Sequence, residues 1–119
     1  MGETFKNNTH HMKLYREPFA MIVSGVKDIE LRLNDEKRRC IRVGDTIVFT
    51  CGAETVTAEV IALHRFSSFA QLYQALPLER CGYTREELDT AKPEDMYAYY
   101  TRSQEMRYGV LGIELAVKM

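Results

Sequence analysis

No apolar run in this 119-residue chain approaches the ~20 residues needed to cross a bilayer, so a membrane-spanning class is set aside. Nor does either charge dominate. Sixteen basic against seventeen acidic side chains leave a formal net charge of -1, so any nucleic-acid contact has to come from a local patch. Cysteine is scarce: Cys40, Cys51 and Cys81 are odd in number, and none sits in a Cys-x-x-Cys or Cys/His cluster able to hold zinc. They read as free thiols of a reducing cytoplasm, with no metal and no cofactor expected. The polar start, Met1 to Thr9, lacks the basic-then-apolar pattern of a signal peptide, so a cytoplasmic protein is expected. Repeats, low-complexity tracts, nucleophile elbows, P-loops and dinucleotide fingerprints are missing as well.

What remains is an ordinary globular composition, 45% hydrophobic and 28% charged, and length enough for one core. The expectation is one domain over residues 12–119 behind a loose arm, residues 1–11. Met12 to Tyr15 suggests a short strand. A helix follows, with Pro18 in its first turn, Gly25 at its end, and Phe19, Ile22 and Val23 as its apolar face. From Ile29 the period changes to two, placing Ile29, Leu31 and Leu33 on one side and Asp28, Glu30 and Arg32 on the other, a half-buried strand with a charged second face. Asn34 to Arg42 reads as a polar, basic loop and Val43-Gly44-Asp45 as a turn into the strand Ile47 to Phe49. Thr55 to Phe66 is a long strand with apolar residues on both faces, as in a curving barrel. Ser68 opens a second helix through a capping box, and Thr84 repeats that signal. The span Pro77 to Arg102 is expected to be mostly helical, and Tyr108 to Val117 to be the closing strand. The order implies an α+β fold, a small barrel-like sheet flanked by helices.

Chemistry concentrates just after Gly25. Glu30 and Arg32, two apart on a strand, point the same way and can reach one ligand, whereas strict alternation turns Lys27 to the opposite face unless a bulge re-aims it. Arg32 offers a planar fork for carboxylate or phosphate. Glu30 can accept from the exocyclic amino group of a base or serve as general base, and a lysine stripped of water and made neutral can act as base or nucleophile. The plainer alternative is a surface ion pair between Glu30 and Arg32. The run from Lys37 through Arg38 and Arg39 to Arg42 suits a phosphate backbone, although such runs are more often solvated loops. Tyr97, Tyr99, Tyr100 and Tyr108 offer faces for base stacking, Tyr97 being the one assigned to packing instead. His10 and His11 have no partner ligands nearby, and His64 on an apolar strand reads as structural.

Gly25-x-Lys27-x-x-Glu30-x-Arg32, then Val43-Gly44-Asp45, then Phe66-Ser67-Ser68-Phe69, then Arg107 to Ile113, in this order and spacing, resemble the ASCH domain family from about Met12 to Val117. The resemblance implies a PUA-like fold, a small mixed, mostly antiparallel β-barrel flanked by helices, with a cleft between barrel and helices walled by the charged strand. It implies Lys27, Glu30 and Arg32 as site residues, bordered by Tyr100 and Ser68, with RNA or a nucleotide as ligand. It also implies an alternative, since one branch of the family comprises small amidohydrolases that deacylate acetylated cytidine. These use a lysine at the position of Lys27, a threonine where this chain has Glu30, and a later glutamate to which Glu79 loosely corresponds. In that case Lys27 and Glu30 would be catalytic. A monomer or weak dimer is expected, with no membrane partner.

Overall fold

The computed structural model describes residues 7–118, so the first six residues of the expected arm lie outside the described residues. Five strands, β1 (Thr9–Lys13), β2 (Ile29–Leu33), β3 (Thr46–Cys51), β4 (Glu54–Phe66) and β5 (Val110–Val117), form one sheet in the order β1-β3-β4-β5-β2. β1 runs parallel to β3, and the other pairings are antiparallel. The sheet curls into a half-barrel with helices around it, the α+β architecture expected. It does not close by a hydrogen-bonded ladder, because β1 and β2 are its two edges.

Strand β1 corrects the arm expected over residues 1–11: Thr9, His10 and His11 pair with Thr46, Ile47 and Val48. The Val43-Gly44-Asp45 turn holds this strand end in place. Gly44 takes the left-handed φ of 96°. The buried Asp45 carboxylate then accepts from the backbone N–H groups of Asn8 (3.1 Å) and Arg42 (3.0 Å) and lies 2.8 Å from His10 Nε2. A buried carboxylate is stable only when satisfied in this way.

Helix α1 (Arg16–Ser24) ends at Gly25, whose φ of 84° supplies the left-handed cap. It buries Phe19 and Ile22 against Met12, Ile47, Phe49, Leu111 and Ile113 inside the half-barrel, while Val23 is exposed rather than part of the apolar face. The chain from Asn34 to Arg42 is not a plain loop. Asp35 accepts from Arg38 N at 3.1 Å and caps α2 (Glu36–Arg39). The two-faced apolar pattern of β4 has a cause in the bulge between Val60 and Ala62, which shifts the register there.

A second core lies outside the sheet, where Ile29, Leu31 and Leu33 meet Phe69 and Leu72 of α3 (Phe69–Ala75). The stretch from Pro77 to Arg102 contains two short 3₁₀ turns, Leu78–Cys81 and Pro93–Ala98, rather than mostly helix. At Thr84 both capping-box bonds form (2.8 and 3.3 Å), yet only turns follow. Besides α2, sequence reading missed α4 (Arg102–Tyr108), capped by Thr101 and Gln104. Its buried Glu105 accepts from Phe69 N (2.7 Å) and Tyr97 Oη (2.6 Å), latching α4 to the start of α3. Among the described residues, no helix is long and apolar enough to cross a membrane, and no three His, Cys, Asp or Glu gather as a metal site.

Candidate functional site

The register of β2 on β5 decides where its charges point. Directly opposed residues share a face. Glu30 faces Ile113 and Arg32 faces Leu111, both inside the half-barrel, whereas Ile29 and Leu31 oppose Glu114 and Gly112 on the outer face under α3. Both faces of β2 are therefore covered, and Glu30 is 4% exposed rather than on a solvated second face.

Lys27 precedes the strand, so alternation does not constrain it. Its backbone N–H is held by the Met21 carbonyl after the Gly25 turn, and its stem packs against Gly82, where an added Cβ would come within 3.2 Å of Lys27 Cδ. The ammonium then lies 2.8 Å from Glu30 Oε1, while Arg32 Nε donates to Glu30 Oε2 at 2.6 Å. Three charges converge in the gap between the sheet edges. Arg32 spans that gap, its Nη2 donating to the β1 carbonyl of Lys13 at 3.0 Å. Asp28, expected beside Glu30, instead meets Arg80 (2.8 and 3.1 Å), which also reaches Glu114 on the other side of the strand.

Burial alone would raise the Glu30 carboxyl, but Lys27 and Arg32 override it and hold the group below the usual carboxylate range. Oε1 lies 2.8 Å from the Lys27 ammonium and Oε2 2.6 Å from Arg32 Nε, so the two cations between them hold both carboxylate oxygens. The triad forms the floor of a cleft of about 570 Å³ between the sheet edges and the 3₁₀ turns. Tyr100 borders it, stacked on Phe69 with centroids 6.0 Å apart, its phenol pKa raised by burial. Tyr15 and Tyr99 stand at the rim, 77% and 64% exposed. Cys81 also lines the cleft, but burial pushes its thiol up to about 12, so it remains protonated and a poor nucleophile at neutral pH.

Five of the anticipated residues thus line one cleft: Lys27, Glu30, Arg32, Tyr99 and Tyr100. Ser68 does not join them, because its hydroxyl caps α3 by accepting from Gln71 N at 3.2 Å. Glu79 is exposed on a 3₁₀ turn away from the cleft lining. Arg38 lines a neighbouring groove, Arg39 donates to the Asn34 carbonyl and lies over the Tyr108 ring, and the Arg42 N–H is fixed on Asp45. His64, as expected, is structural, 2.7 Å from Glu114. Sequence reading missed Tyr15 and Lys13. Their only signal was the run Lys13-Leu14-Tyr15 entering a helix, which identifies neither as site-facing.

A family model described as ASCH domain matches residues 12–118. Among solved structures, the hypothetical protein PH0355 is 30% identical, with a TM-score of 0.78, 92% of this chain covered and 99% of that one. Protein PF0455 from Pyrococcus furiosus is 32% identical with a TM-score of 0.68, covering 92% and 96%. The S128A mutant of ZmASCH from Zymomonas mobilis shares the fold at 13% identity, TM-score 0.63, covering 91% and 67%. No curated protein matches the chain.

Proposed function

This chain belongs to the ASCH domain family, and from that premise we propose that it binds RNA or a nucleotide, with one nucleobase seated in the cleft over Glu30. The observation that carries the reading is the buried Lys27–Glu30–Arg32 triad at the floor of a cleft whose rim exposes Tyr15 and Tyr99. Aromatic faces stack on bases of any sequence, and an ionised carboxylate accepts from an exocyclic amino group or ring N–H. Arg32 and Lys27 supply donors beside it.

The alternative, deacylation of a modified nucleoside, draws on the same Lys27–Glu30 contact. It is the weaker reading on physical grounds. A carboxylate stabilised by two cations is a weak base, and the cleft thiol is held protonated.

NMR titration with nucleosides, acylated nucleosides, nucleotides and short RNAs tests both. Binding predicts saturable shifts at Lys27 to Arg32 and Tyr99, weakened at least tenfold by Arg32→Ala and reduced by salt. Affinity for RNA indifferent to both Arg32→Ala and salt would remove the proposed surface. Consumption of an acylated nucleoside, lost in Lys27→Ala, would establish the enzyme instead.

A further inference from the structure

Beside the cleft runs a second depression of about 400 Å³, between β1 and α2, lined by Lys13, Arg32, Lys37, Arg38 and Thr50 among others, with no acidic residue in its lining. Arg32 and Lys13 belong to both, so the two spaces share a wall. Arg38 gives its Nη1 to Asp35 at 3.3 Å, but its buried Nε has no hydrogen-bond partner. Such a buried donor is expensive to leave unmade. Lys13 and Lys37 are exposed and have no acidic partner among the described residues. The cleft lining is mixed by contrast, Glu17, Glu30 and Glu87 standing beside Lys13, Lys27 and Arg32.

We propose that the groove between β1 and α2 is a phosphate subsite, so that the ligand is a phosphorylated nucleotide unit, free or within an RNA strand, with its base in the cleft and its phosphate on Lys37 and Arg38. This rests on the reading of the cleft as a nucleobase site. The division of labour follows from charge. A phosphate near Glu17 and Glu87 is drawn past Arg32 into the groove, where the four lining cations Lys13, Arg32, Lys37 and Arg38 outnumber the nearby carboxylates Asp35, Glu36 and the Arg32-paired Glu30. It also separates the basic run seen in the sequence: Lys37 and Arg38 face the groove, while Arg39 turns away to Asn34 and Tyr108.

The test compares each nucleoside with its 5′- and 3′-monophosphate, a tetranucleotide RNA and inorganic phosphate, by calorimetry and NMR at low salt. It uses the wild type, Lys27→Ala and Lys37→Glu, and the last change lies on an exposed side chain the fold does not depend on. The expected result is a monophosphate bound at least tenfold more tightly than its nucleoside, a ratio falling to within twofold in Lys37→Glu, with Lys27→Ala weakening both ligands. A tetranucleotide more than tenfold tighter than the monophosphate identifies a strand as the source of the phosphate; equal affinity identifies a free nucleotide. Equal binding of nucleoside and monophosphate, or a ratio that survives Lys37→Glu, overturns the subsite and leaves the nucleobase reading standing. Shifts at Lys37 and Arg38 with inorganic phosphate alone, and no response to any nucleoside or nucleotide, keep an anion site but overturn the nucleobase reading and the nucleotide assignment with it. No response to anything overturns both.

Discussion

Replacing Glu30 with alanine would leave two cations in the seam with nothing between them, Lys27 only 9% exposed and Arg32 partly buried. At contacts of 2.8 and 2.6 Å and an effective dielectric of about 20, each attraction is worth roughly 6 kcal/mol before dehydration. Dehydration costs several kcal/mol per ion and offsets most of that gain. The single deletion removes both attractions while the cations stay buried, so Glu30→Ala is expected to cost about 3–5 kcal/mol. The triple change Lys27→Met, Glu30→Leu, Arg32→Met removes attraction and dehydration together. It is expected to lie within about 2 kcal/mol of wild type or above it, even though it also loses the bridge from Arg32 to Lys13. Urea denaturation separates the two cases: an early midpoint for the single variant, a near-normal one for the triple, with thermal midpoints differing by roughly 10–20 °C. A triple variant that unfolds as readily as Glu30→Ala would make the charges structural cement and refute the argument. A stable triple variant that no longer binds nucleotide would assign them to the ligand.

Acid should expose the same network. Glu30, Asp45 and Glu114 all titrate below their ordinary values of 4.5, 3.8 and 4.5 in the folded chain, the first two despite burial and the third chiefly through His64. A depressed folded pKa gives stability that is complete above the unfolded value and lost as pH falls through the folded one. Unfolding free energy measured by urea titration should therefore decline below about pH 4.5, and more shallowly in Glu30→Gln; a flat profile down to pH 3 would contradict the assignment. Two glycines offer a steric contrast. At Gly109, with φ 72°, a Cβ would lie 2.8 Å from the Phe66 carbonyl oxygen, which cannot move cheaply, whereas at Gly112 it would meet the end of the Leu76 side chain at 2.7 Å. Gly109→Ala is expected to cost about 2–4 kcal/mol and Gly112→Ala about 1 kcal/mol in the same denaturation assay, and the reverse order would be wrong for this packing.

The pattern Ile29, Leu31, Leu33 against Glu30, Arg32 was readable because a strand's alternation is independent of what covers it. Whether the charged face was wet was not readable, since that depends on curling the sheet around it. The objection to Lys27 dissolved for a local reason: the chain turns at Gly25 and enters β2 only at Ile29, so a loop residue was being counted as a strand residue. The first strand was legible at Met12 and Lys13, but its start at Thr9, His10 and His11 was not, because that part is held by pairing with β3 and by Asp45, far along the chain. Thr84 and Thr101 show the limits of a capping signal. Both boxes form their hydrogen bonds, but Thr101 is followed by a helix that buries Glu105 and Thr84 by exposed turns, and tertiary burial decides between them. The Thr101–Gln104 signal was present in the sequence and could have been found.

The site lies where the fold is least complete. A sheet that curls without closing leaves two edge strands with unpaired backbone groups, and such edges have to be covered or charged. Here the gap is crossed by one guanidinium, from Arg32 to the Lys13 carbonyl, and that guanidinium is anchored by the carboxylate at the cleft floor. Anything that occupies the cleft and touches Arg32 touches the link between β1 and β2 as well. A ligand bound only by the closed seam adds stability as RT ln(1 + [L]/Kd), about 2.7 kcal/mol at a hundredfold excess over Kd. Recognition and closure of the half-barrel therefore depend on the same few atoms, those of Glu30 and Arg32 on the edge strand β2.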